Sequence, residues 1–215
     1  LLPAVWPPDA ANQAAVQAFI ASEGMAALQA AISGGQHEFE GGLFYGGRAP
    51  TWSNQTLRAV LARHAAAARR VAWIDLHTGL GPSGVGERIW AGANDAPAVA
   101  RAKRWWGEQV TSIYDGSSTS ALLTGLMWES IPDAAPQAEY TGIAMEYGTQ
   151  PVTEVLDALR GDHWLAAHPE APPALAAQIK ARMLRAFYTD TDAWKGQIIS
   201  QARQALFQAA DGLAG

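Results

Sequence analysis

The sequence predicts an α/β fold, a mixed sheet flanked by helices. Two apolar runs of strand length carry the prediction: Val71-Ala72-Trp73-Ile74-Asp75-Leu76-His77, and Tyr140-Thr141-Gly142-Ile143-Ala144-Met145-Glu146-Tyr147. Each stops at a glycine, Gly79 or Gly148. The third observation is what surrounds them, long stretches whose apolar residues recur at helical spacing.

Pro3, Pro7 and Pro8 mark residues 1–9 as an extended segment. A helix is predicted over residues 10–32, because Val16, Phe19, Ile20, Leu28 and Ile32 share one face, and Gly34-Gly35 stops it. Residues 36–53 are rich in turn formers. Asn54 then offers a cap for a helix with Leu57, Val60, Leu61, Ala65 and Ala68 facing inward. The strand at 71–77 follows, with a glycine-rich loop running to about Ala96. A helix over residues 97–110 carries Trp105 and Trp106, whereas residues 111–132 show no period. After the strand at 140–147, three helices near 151–167, 171–187 and 191–210 close the chain. Their starts are marked by Pro151, Pro172-Pro173 and the Asp190/Asp192 region. No repeat or linker interrupts the chain.

Composition narrows the function classes. Of 215 residues, 49% are hydrophobic and 16% charged, so the chain can bury a sizeable core. The net charge of −5 and the scattered basic residues give no nucleic-acid footprint. No apolar run approaches the ~18 residues that span a bilayer. The absence of cysteine leaves His, Asp and Glu as metal ligands and fits a cytoplasmic protein. The opening Leu1-Leu2-Pro3 reads as a fragment or a processed product.

His77 closes the first strand, and ligands gather at the carboxyl ends of strands in α/β sheets. Strand alternation puts Asp75 on the same face, about 6–7 Å away, where a carboxylate orients a ligand histidine. A histidine satisfied by hydrogen bonds, with Asp75 as a structural carboxylate, fits the same letters. Glu146 closes the second strand. An acid there is costly to bury unless it is paired or working, and an exposed strand-end glutamate or a structural ion pair is the alternative.

Other motifs are weaker. Gly79, Gly81 and Gly84 spell G-x-G-x-x-G, but Pro82 interrupts the dinucleotide fingerprint. His37 and Glu40 have ligand spacing without an apolar strand leading in. His64 falls on the apolar face of its helix, and His163 and His168 lie at a helix end, where they suit the dipole. The nine tryptophans read as core. No G-x-S-x-G elbow and no cysteine nucleophile is present.

Taken together, several segments resemble a bacterial branch of the zinc carboxypeptidase superfamily. They are Asp75-Leu76-His77-Thr78-Gly79-Leu80-Gly81-Pro82, Gly86-Glu87, Gly35-Gln36, Phe44-Tyr45-Gly46-Gly47, Trp52-Ser53-Asn54 and Glu146-Tyr147-Gly148-Thr149. The Asp-Leu-His-Thr run is also similar to that of the related succinylglutamate desuccinylases and aspartoacylases. The resemblance covers most of the chain. It implies that His77 is a Zn2+ ligand and that Glu146 is the catalytic base; strand alternation puts Asp75 behind the imidazole. The activity implied is zinc-dependent hydrolysis of an amide bond in a peptide.

That superfamily takes two further ligands from a His-x-x-Glu pair early in the domain, together with an arginine-containing substrate motif. Gly35-Gln36 and Tyr45-Gly46-Gly47 align His37 and Glu40 with a later part of the family, so they do not fill that role. Residues 1–215 are therefore expected to be the C-terminal portion of a single domain whose N-terminal half and remaining zinc ligands lie upstream. The chain alone is expected to be inactive. Two other functions share these residues. One is a deacylase of small N-acyl amino acids, of the aspartoacylase type, disfavoured by the helical C-terminus. The other is a non-catalytic binding module. Arg48 and Arg88 are candidate partners for a substrate carboxylate, or else solvated surface charges.

Overall fold

The computed structural model describes residues 2–215. It is an α/β protein with one three-stranded mixed sheet flanked by helices. Strands β1 (Arg70–Ser83), β2 (Gly86–Trp90) and β3 (Glu139–Gly148) lie in the order β1-β3-β2. β3 is central, parallel to β1 and antiparallel to β2. Parallel neighbours need a long crossover, and it is supplied by β2, α4 (Ala96–Trp106), a 3-10 turn (Met127–Glu129) and α5 (Ser130–Ala134).

Alternation gives the sheet two unlike faces. Ile143, Met145 and Tyr147 of β3 point to one side with Trp90 of β2 and Ala72 and Ile74 of β1. There they pack on Ala98, Ala102 and Trp106 of α4 and on Ala205 and Ala209 of α8 (Asp192–Ala214). Trp106 is fully buried, and its indole N–H donates to the Ala205 carbonyl at 3.0 Å. Buried Thr141 accepts from Arg101 Nε at 2.6 Å, and the same guanidinium reaches the Tyr140 carbonyl. The opposite face carries Trp73, Asp75 and His77 of β1, Tyr140, Gly142 and Glu146 of β3, and Glu87 of β2. Gly142 is required there, because a Cβ would land on the Tyr140 hydroxyl, which leans over it to donate to the Ala91 carbonyl.

Three parts differ from the expectation drawn from sequence. The single helix over 10–32 is two, α1 (Ala10–Glu23) and α2 (Met25–Ser33), bent by 112° at Gly24, whose φ is +87°. The loop after His77 is mostly strand: β1 runs on to Ser83, and β2 follows, pairing antiparallel with β3 on the side away from β1. Helix α3 (Trp52–His64) is capped by Thr51, whose hydroxyl accepts from the Asn54 amide, and not by Asn54. It packs chiefly on the short α5, which leaves Val60 and His64 exposed. The closing helices α6 (Val152–Ala167), α7 (Pro173–Phe187) and α8 match the expectation within a few residues. Among the described residues, no single helix is long and apolar enough to cross a membrane.

Candidate active site

The register brings the two strand-end residues together. His77 of β1 lies directly opposite Glu146 of β3, and Glu146 lies directly opposite Glu87 of β2. The three form one row across the sheet at the carboxyl ends of the parallel strands, where α/β folds collect their ligands. Asp75 sits two residues before His77 on the same face, and its Oδ2 is 3.1 Å from His77 Nε2.

His77 is half exposed, and its bond to Asp75 occupies one ring nitrogen. The other, Nδ1, has no hydrogen-bond partner among the described residues and is open to an electrophile. The Asp75 hydrogen bond holds the imidazole pKa above its ordinary value of 6.5, against the opposing effect of burial. The metal-free pair therefore contributes stability that is complete below the ordinary histidine value and fades as pH rises through the raised one. Asp75→Asn is expected to return the imidazole toward the ordinary range, read by NMR titration. An unchanged titration would show that Asp75 does not orient the ring.

Glu146 is half-buried. Burial pushes its carboxyl pKa up, while the backbone N–H of Leu80, 3.0 Å from Oε1, and the neighbouring His77 pull it down. The excursion of β1 over residues 79–83 delivers that N–H: both Gly79 and Ser83 pair with Gly148. Gly79 itself faces the Phe187 ring. The carboxylate thus has one oxygen fixed and the other without a donor among the described residues. That is an acceptor held at a stated place beside an open imidazole.

Among the described residues, no group of three His, Cys, Asp or Glu side chains can hold a metal ion. His77 fits a metal ligand in exposure and orientation, but a catalytic zinc needs about three protein ligands. Among the described residues His77 alone offers an open imidazole at this place, with Asp75 behind it and Glu146 beside it.

The remaining candidates lie elsewhere. His37 bonds the Gly47 carbonyl, and Glu40 pairs with Arg48 in solvent. Arg88 points to the opposite face of β2 and reaches Gln204. His168 bonds the Trp164 carbonyl at the end of α6, whereas His163 reaches the Gly41 carbonyl and does not cap that helix. Gly79, Gly81 and Gly84 lead into β2 instead of a helix, so they form no phosphate cradle. An apolar groove of about 1000 Å³ between α1, α2 and α6, lined by Ile20, Leu28, Leu43 and Leu156, includes none of His77, Asp75 and Glu146.

Glu87 has no site role in the sequence reading. Only once Gly86–Trp90 is seen as a strand paired with β3 does alternation set Glu87 on the face of Glu146.

The fold and the site define an α/β protein with a histidine, its orienting aspartate and a glutamate at adjoining strand ends. The chain belongs to the family described as "Protein of unknown function (DUF2817)", which matches residues 1–201. Neither the curated proteins nor the solved structures gave a match.

Proposed function

We propose that the protein is a zinc-dependent hydrolase of amide bonds in peptides, with Glu146 as the base and His77 as one zinc ligand. The observation that carries this reading is the register pair His77–Glu146 at the carboxyl ends of parallel strands, with Asp75 behind the imidazole. In this reading Glu146 accepts a proton from the attacking water and returns it to the departing amine. Zinc, when bound, polarises the amide carbonyl and acidifies that water. Leu80 N–H fixes the base, and Asp75 fixes the ligand.

The remaining zinc ligands come, in this proposal, from sequence outside residues 1–215. The outer edge of the sheet supports it. β1 is an edge strand, yet five of its six residues from Val71 to Leu76 are apolar, and Leu76 is 55% exposed. Edge strands are ordinarily blunted by charge, proline or cover. Strands pairing along β1 would cover that edge and stand next to His77.

The test is metal analysis of the purified full-length protein. About one zinc per chain is expected, with amide hydrolysis lost to a chelator and restored by zinc. A content well below one per chain would overturn the proposal. A panel of blocked peptides and N-acyl amino acids separates the two substrate classes.

A further inference from the structure

We propose that Glu87 is a positioning residue of this site: its carboxylate clamps Thr111 and Thr119, and so fixes residues 118–120 as a wall of the substrate cleft on the side of Glu146 away from His77. The inference rests on the hydrolase reading and adds to it the residue that shapes the cleft.

The observation is a juxtaposition of strands and loop. Glu87 and Glu146 are directly opposed across the antiparallel β2/β3 pair, so their Cβ atoms stand about 4.5–5.5 Å apart. Two carboxylates in that arrangement repel, and an unconstrained Glu87 would swing into solvent. It is held instead by donors. Oε1 accepts from the Thr111 hydroxyl at 2.5 Å and from the Thr119 backbone N–H at 3.2 Å. Oε2 accepts from the same N–H at 3.3 Å and from the Thr119 hydroxyl. Both oxygens are engaged, whereas Glu146 has one donor. Glu87 is therefore held in place and has no free oxygen with which to act as a second base.

The clamp closes a polar loop. Thr111 is already tied to β2: its N–H donates to the Arg88 carbonyl, and its carbonyl accepts from Trp90. Eight residues later Thr119 returns to the same carboxylate, while its carbonyl accepts from Gln29 of α2. Within the loop, Asp115 takes the Ser117 hydroxyl and amide, and Ser118 N–H donates to the Ser112 carbonyl. Thr119 is exposed. Its side chain and backbone stand on the site's face, with Glu146 between it and His77. A substrate lying over Glu146 meets this segment on one side, and Glu87 sets how far away it stands.

The test uses the full-length, zinc-loaded enzyme and a series of blocked peptides. Glu87→Gln and Thr119→Val are each expected to raise KM about tenfold with kcat within about threefold, because a displaced wall weakens binding before it touches the proton transfer. The double variant is expected to be no worse than either alone, since both break one clamp. Thr119→Ser keeps the hydroxyl and is expected to restore KM. A purely structural role would lower the melting temperature without moving KM. Unchanged KM in Glu87→Gln overturns the proposal, as does a fall in kcat at constant KM, which would place Glu87 in the chemistry. If the wild-type enzyme cleaves no substrate, the hydrolase reading fails on its own. The clamp is then read by amide hydrogen exchange at residues 117–120: faster exchange in both variants supports it, and unchanged exchange removes it.

Discussion

Glu146→Gln in the full-length, zinc-loaded protein is expected to lower amide hydrolysis about 10²–10⁴-fold, the usual worth of a positioned general base. The amide is nearly isosteric and its carbonyl still accepts from Leu80 N–H, so the fold and the zinc content are expected to stay as they are. Full activity in this variant would remove Glu146 from the mechanism. The same substitution carries an opposite effect on stability. Burial raises the Glu146 pKa in the folded chain. A carboxyl raised in this way contributes stability that is present in full below its unfolded value and lost as pH climbs through the raised one. As pH rises, the metal-free wild type has to ionise a half-buried carboxyl beside Glu87, at a cost the unfolded chain does not meet. Glu146→Gln is expected to be the more stable protein at pH 7, with the gain vanishing below about pH 4. Urea midpoints at the two pH values check the sign. A variant less stable at pH 7 would mean that the carboxylate is paired in a way its surroundings do not show.

That trade is what a site residue looks like from the side of physics: a group the fold would be better without. It also explains which parts of the site the sequence could disclose. His77 and Glu146 stand out because each is a polar residue ending an apolar run, and that contrast needs no knowledge of partners. Their pairing is not in either run. It depends on β3 entering the sheet beside β1, which follows only once the crossover has folded. Glu87 was hidden for a different reason. Gly84-Val85-Gly86 reads as a continuing loop, and the five residues of β2 are too few for alternation to show against it. The break at Gly24 escaped because hydrophobic spacing runs on through it. Phe19, Ile20, Leu28 and Ile32 keep their phase while one φ angle turns the chain. His64 was misplaced because periodicity marks a face and not what lies against it. The apolar side of α3 outruns the five residues of α5 that cover it.

Gly148→Ala is expected to be among the most damaging single substitutions in the sheet, costing about 3 kcal/mol, the upper end for overpacking a tight interior. The cause is not backbone conformation, since Gly148 is not among the residues with positive φ. A methyl group there lands on the backbone carbonyls of Gly81 and Pro82, where the β1 excursion folds back over the end of β3. No side chain can rotate out of the way. The excursion is anchored on both sides: Gly84 N–H donates to the Gly148 carbonyl, and Gly148 N–H donates to that of Val85. The Trp194 indole also donates to the Gly148 carbonyl. Gly116→Ala is the comparison that isolates the cause. Its φ of +75° and open surroundings leave only the left-handed backbone cost, about 1–2 kcal/mol. Denaturant unfolding of the two variants should rank Gly148→Ala clearly below Gly116→Ala, and equal midpoints would show that the excursion yields easily. If it does yield, the site reports it. Moving residues 79–83 withdraws Leu80 N–H from Glu146, so any Gly148→Ala protein that still folds should lose hydrolysis while keeping His77 and Asp75 in place. The glycine that closes the strand thereby connects the packing of the sheet to the position of the base.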